Sequence, residues 1–275
     1  MLKILRQHNN TELPKDARTL LQTPATVQID DLAGGNYCYL GIKKGLERLV
    51  GQNLIDFSQN CLDLQINIDG LPIFKSSSLH LWPILCKFGS HPFLVGLWAG
   101  HRQKPDDSNI FVRDFLEERQ LLIRDGVQLS GQHFQVVMNK IICDAPARAM
   151  LKGTKQFSGY NSCDRCEIIG TYEERRVCFP ECEVSFSKRT NEKFSQYRYL
   201  GGYQLKRTIF SNYTVNCVTD FLLDSMHLVY LGVVKRLLEF LKSGPRSCKI
   251  SRLHIDQVSA RLQKLKGQLP REFAR

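Results

Sequence analysis

The stretch CLDLQINIDGLPIF, Cys61 to Phe74, constrains the fold of this chain more than any other. Leu62, Leu64, Ile66 and Ile68 alternate strictly with Asp63, Gln65 and Asn67. A period of two is the signature of a strand with one face on a core. The strand runs into Asp69-Gly70-Leu71-Pro72, so a carboxylate stands where the backbone turns. Asp-Gly is a favourable hairpin turn in its own right. An acid at the end of a rigid strand is also held firmly while staying open to a ligand. The alternation puts Asp69 on the polar face, whereas a central parallel strand is ordinarily apolar on both faces.

Two more short apolar runs follow, LHLWPILCKF (Leu79 to Phe88) and PFLVGLWAG (Pro92 to Gly100), separated by Gly89-Ser90-His91. Together with the first strand they predict a three-strand meander. Pro83 cannot donate to a ladder and predicts an edge or a bulge at that point. After a polar loop, Phe111, Val112, Phe115, Leu116 and Leu122 fall on one helical face, with Asp107 or Ser108 as cap. A turn at Asp125-Gly126 leads to FQVVMNKIICDAPAR, a strand that ends in a second acid, Asp144, ahead of another helix. A helix between the third and fourth strands lets the fourth lie beside the first and parallel to it. Asp69 and Asp144 then become neighbours, as a divalent metal requires. Upstream, a short helix around Leu2, Ile4 and Leu5 and a Pro-containing loop precede a helical run from Tyr39 to Val50, with Asn36 as its N-cap. That part reads as a helical lead-in.

The ten cysteines occur without a secretory signal, since MLKILRQHNN turns polar within a few residues. A reducing compartment follows, in which clustered cysteines suggest metal rather than disulfides. Cys163 and Cys166, then Cys178 and Cys182, make two close pairs that together satisfy tetrahedral Zn²⁺. If Cys178 and Cys182 are incidental thiols instead, the first pair needs other partners, His227 among them. A net charge of +11 favours an anionic partner, nucleic acid first. Lys188, Arg189, Arg198, Lys206 and Arg207 lie in a basic, aromatic segment suited to phosphate contact and base stacking, although such segments are more often solvated surface. No apolar run has the length of a membrane span. From Leu222 to Leu241 the chain is apolar nearly all round, which predicts a buried helix stopped by Gly244-Pro245. Asp224 and His227, three residues apart, share a face at its start. They serve as a structural cap or as a ligand accessory. Ile255, Val258, Leu262 and Leu265 mark a last, amphipathic helix.

IDGLPIFKSSSLHLWPIL resembles the first catalytic block of transposases of the CACTA (En/Spm) and related cut-and-paste elements. CDAPARAMLKGTKQFSGYNSCDRC is similar to their second block, and DSMHLVYLGVVKRLL to their Asp-x-x-His segment. The three blocks, in order, span about residues 67–238. The resemblance implies an α/β chain with an RNase H-like core (three-strand meander, helix, parallel strand), a zinc knuckle and a helical insertion, incomplete at the C-terminus. The corresponding divisions are a lead-in at 1–56, the first part of the core at 57–152, the Cys-rich knuckle and basic segment at 153–200, and the helical insertion at 201–275. It further implies that Asp69 and Asp144 are catalytic acids holding Mg²⁺ or Mn²⁺, that Cys163 and Cys166 hold Zn²⁺, and that Asp224 and His227 are accessory. The implied partner is DNA, the implied activity strand cleavage and joining by two-metal phosphoryl transfer, and the implied location the nucleus, with the cytoplasm second. Homo-oligomerisation is left open. The family's third acid, a Glu beyond a helical insertion, has no match, because Glu239 and Glu272 stand in unsuitable contexts. Truncation before that Glu, or a domesticated copy, accounts for the gap, and catalysis by this chain alone is then weak or absent. The alternative is a non-catalytic domesticated module with structural zinc that binds DNA or protein.

Overall fold

The computed structural model describes residues 14, 16, 19, 27–74, 76–173, 175–179, 186–265 and 268. The expected helix around Leu2, Ile4 and Leu5 lies outside the described residues, as do Cys182 and Glu272. The chain is mixed α/β, built on one large sheet. The alternating stretch forms β3, Cys61–Ile68, after two short strands, β1 (Asp30–Leu32) and β2 (Gly35–Tyr39). Leu62, Leu64, Ile66 and Ile68 are fully buried, as the period of two predicts. Each such burial is worth about 1.5–3 kcal/mol, so the strand is anchored by its own pattern.

β4 is only Leu71–Pro72, and β5 (His80–Phe88) and β6 (His91–Gly100) complete the meander. β3 pairs antiparallel with β5, and β5 with β6. Pro83 sits in a gap on one side of β5, between His80 and Leu81, which pair with β4, and Ile84, where pairing with β3 begins. Its missing N–H therefore removes no bond from that side. A register shift between Ile84 and Leu85 follows directly after it.

Two helices precede the next strands besides α1 (Ile42–Gly51): α2 (Ser108–Phe111) and α3 (Arg113–Asp125). Asp107 caps α2 by accepting from the Asn109 N–H at 2.8 Å, as expected. β7 (Val127–Leu129) makes a hairpin with β8 (Gln132–Cys143), which pairs parallel with β3. Helix α4 (Ala145–Lys152) follows, then the hairpin β9 (Thr171–Glu173) and β10 (Arg176–Cys178), and the short α5 (Asn191–Ser195). β11 (Phe221–Leu223) pairs parallel with β8. The path through the sheet is β1-β2-β6-β5-β3-β8-β11, with β3 near its middle. Helices α1 and α3 pack on the sheet and on each other, and α4 packs on β8.

Three expectations change here. Asn36 lies in β2 and caps no helix. The first N–H groups of α1, on Ile42 and Lys43, instead donate to the Glu118 carboxylate at 2.7 and 3.0 Å. That cap arrives from α3, so no local signal could announce it. Second, the start of the predicted helix, Leu222 and Leu223, is strand. Third, the helix that follows is not buried. Met226–Val234 forms a π-helix that continues into α6, Lys235–Ser243, and neither has a buried residue. Tyr230 is 65% exposed and Leu231 56%. The final amphipathic helix is α7, Arg252–Lys264, also without buried residues. Among the described residues no helix is long and apolar enough to cross a membrane.

Candidate active site

The parallel register of three strands gathers the predicted residues. Asn67 of β3 pairs with Ile142 of β8, so two residues further on Asp69 lies level with Asp144. Leu223 of β11 pairs with Cys143, so one residue further on Asp224 lies level with Asp144 from the other side. Three aspartates thus stand in a row, each one residue past the end of its strand. Adjacent strands are about 4.8 Å apart, which brings the three into one electrostatic neighbourhood.

Each acid is held differently. Asp69 is half-buried, and one oxygen accepts from the Gly70 N–H at 2.7 Å. Burial, and next the charge of Asp144, raise its pKa above the ordinary 3.8. Asp144 is the N-cap of α4, accepting from the Ala147 N–H at 2.7 Å, with Pro146 in the first turn. A capping side chain is fixed in place, which is why a strand-to-helix junction presents an acid so firmly. Among the described residues the second oxygen of each has no hydrogen-bond partner.

Asp224 is fully engaged. One oxygen accepts from the Met226 N–H at 2.9 Å and the other faces His227 Nδ1 at 2.5 Å. Burial pushes Asp224 up, but its hydrogen bonds with His227 and the backbone bring it below the ordinary carboxylate value. The same hydrogen bond to Asp224 raises His227 above 6.5, against partial burial, with the charges of Asp144 and Asp69 adding to it. A histidine raised in this way stabilises the fold fully below its unfolded pKa, and the contribution fades as pH rises through its folded pKa. NMR titration of His227 therefore gives a midpoint above 6.5, and Asp224→Asn moves it down toward 6.5. An unchanged midpoint in that variant contradicts the pairing.

Beside this row opens a cavity of about 410 Å³. Ala145 and Pro146 at the start of α4, Phe157, and Leu228 and Gly232 of the π-helix form much of its wall. Asp144, Asp224, His227 and Arg148 also line it. π-Helical turns are rare and recur at functional sites.

The cysteine segment is tied to the back of the site by a network that the sequence did not announce. Asp164, between Cys163 and Cys166, accepts from Arg148 Nε at 2.7 Å and from Lys152 Nζ at 2.8 Å, and the Tyr203 hydroxyl also donates to it. Lys152 is buried and lies over the rings of Tyr203, Phe221 and Phe194. Burial opposes both charges, pushing Asp164 up and Lys152 down; two cations and a hydroxyl nevertheless hold Asp164 well below the usual carboxylate range. Arg165 donates to the Phe221 carbonyl at 2.7 Å, joining the same segment to β11. Gly153 ends α4 in the left-handed region at φ 63°, where Lys206 backbone leaves no room for a Cβ.

Cys163 and Cys166 have their sulfurs 3.4 Å apart. Cys178 lies on β10, and Cys182 is outside the described residues. Among the described residues no three His, Cys, Asp or Glu side chains gather closely enough to hold a metal ion. Of the basic candidates, Arg189 is turned inward: its guanidinium donates to the Cys163 and Asn161 carbonyls and stacks on Tyr203 at 4.1 Å. Lys188, Arg198, Lys206 and Arg207 are exposed, with Arg207 over the Tyr197 ring at 4.5 Å. Glu239 is paired with Arg236 at 3.2 Å on α6. No protein-family model matches the chain, and no curated protein matches it in sequence.

Proposed function

We propose that the chain is a transposase-derived protein that acts on DNA by phosphoryl transfer, cleaving and joining strands, and is weak on its own. The observation that carries this reading is the level pair of aspartates, Asp69 and Asp144, at the ends of adjacent parallel strands. The strand path β6-β5-β3-β8-β11, a meander followed by two strands parallel to β3, supports an RNase H-like core.

The donor chemistry suits a hard divalent cation. Two carboxylates each keep an oxygen free, and Mg²⁺ usually retains several waters beside one or two protein carboxylates. Asp69 and Asp144 would hold the metal; when bound, Mg²⁺ or Mn²⁺ supplies Lewis-acid stabilisation of the reacting oxygens. Asp69 offers its oxygen from a strand end whose partner face is fully packed. Asp144 offers its own while the other caps α4. Asp224 spends both oxygens and so orients His227 rather than adding a third free acid. Among the described residues no third acid with a free oxygen joins Asp69 and Asp144, in keeping with weak activity.

The pair Cys163 and Cys166 offers two thiolates toward a tetrahedral Zn²⁺ set, but among the described residues Cys178 does not gather with them, and Cys182 lies outside the described residues. The exposed cations Lys188, Arg198, Lys206 and Arg207 suit the phosphate backbone. A nuclear location and self-association accord with work on DNA ends. The occupied oxygens of Asp224 favour one second reading, a non-catalytic domesticated DNA- or protein-binding module. Salt-dependent DNA binding without any cleavage distinguishes it.

Metal binding tests the pair directly. Mn²⁺ titration followed by electron paramagnetic resonance should give binding that Asp69→Ala and Asp144→Ala each weaken by at least about tenfold, since even outer-shell losses cost about 10–100-fold. Affinity unchanged in both variants rules out the pair as ligands.

A further inference from the structure

The cavity beside Asp144 has a wall that phosphate chemistry does not explain. Its volume of about 410 Å³ falls within the ~300–1,000 Å³ usual for small-molecule pockets. Asp144, Asp224, His227 and Arg148 line part of it, and Ala145, Pro146, Phe157 and Leu228 give it an apolar wall. Phe157 is 66% exposed, and among the described residues no other ring stacks on it. An aromatic side chain this open, on the wall of a cavity shared with an acid, is a free stacking face. His227 commits Nδ1 to Asp224, and among the described residues Nε2 has no partner. The cavity therefore combines a flat apolar face with a hydrogen-bonding edge.

A DNA strand contains one kind of group with both properties. We propose that the cavity takes a single unstacked nucleobase from the strand whose phosphodiester lies at Asp69 and Asp144, with the base stacked on Phe157; this rests on the DNA reading above. A phosphate at the acids leaves its own nucleotide's base within reach of the adjoining cavity, since Asp144 belongs to both. The cost of removing a base from the stack is least at a strand end or where the strand is already single. The occupant is thus a base flanking a nick or an end. The net charge of +11 holds the rest of the strand.

The test uses a DNA hairpin with a short single-stranded overhang, and the same hairpin with an abasic overhang, bound in Ca²⁺. Phe157→Ala is expected to weaken binding of the first by about 5- to 150-fold, the equivalent of losing one base–aromatic stack. On the abasic DNA the wild type should already be weaker by a similar factor, and Phe157→Ala should cause no further loss. Phe157→Trp should retain wild-type affinity for the intact overhang. A loss of equal size on both DNAs makes Phe157 structural and overturns the proposal, as does no loss on either. If the wild type binds neither DNA, the DNA reading and the base site fail together. If it binds both equally and ignores Phe157, only the base site fails.

Discussion

Asp164→Ala should destabilise the protein by about 3–5 kcal/mol, the cost of leaving a buried cation without its partner. Against a typical stability of about 5–15 kcal/mol, that is a large fraction of the total. Lys152 is enclosed by three aromatic rings and cannot turn to water when the carboxylate goes; Arg148 is largely covered but borders the cavity. Lys152→Met alone should be milder, because Asp164 keeps Arg148 and Tyr203. The double variant Asp164→Ala/Lys152→Met should recover part of the loss, since it removes the stranded charge. The pH dependence has a definite sign. The folded pKa of Asp164 is depressed, so its contribution is complete above the unfolded value near 3.8 and is lost as pH falls toward the folded value. Urea melts of the three variants and the wild type at neutral pH measure the effect. Equal stability of Asp164→Ala and wild type contradicts the network.

The second large effect concerns activity without stability. Asp144→Asn keeps an oxygen that can accept from the Ala147 N–H, so the cap on α4 survives and the melting curve should barely change. The charge that a cation needs is gone, and nicking should fall by roughly 10³-fold or to background, the equivalent of several kcal/mol of lost charge stabilisation. Asp144→Ala should show the same loss together with about 1 kcal/mol of destabilisation from the missing cap. In both variants Asp69 loses the neighbouring charge that helps raise its pKa, and should ionise at lower pH. Undiminished nicking by Asp144→Asn removes Asp144 from the chemistry.

The parts of this fold legible in sequence are those whose cause is local. Four buried residues at a period of two announce β3, and short apolar runs bounded by turn residues identify the meander and β8. Asp69 and Asp144 were visible because each follows a long strand legible in sequence and precedes a turn or a helix start. β11 was not, because three residues are too few for a period and Leu222 and Leu223 merge into the apolar run behind them. The level position of Asp224 beside Asp144 was hidden for that reason, although Asp224 and His227 were recognised as a pair. The cap on α1 comes from Glu118, 76 residues beyond Ile42, and Asp164 finds partners 12 and 39 residues away. Distances of that kind leave no local pattern. The exposed helix from Met226 to Ser243 shows the complementary limit: an apolar composition states what a helix prefers to touch, and the surroundings decide whether it does.

The most direct measurement is nicking of supercoiled plasmid in Mn²⁺ by the wild type and by Asp69→Ala. Slow conversion to the open circle by the wild type, absent in Asp69→Ala at equal folding, is the predicted result. Nicking that persists in Asp69→Ala, or none from a folded wild type that binds DNA, contradicts it.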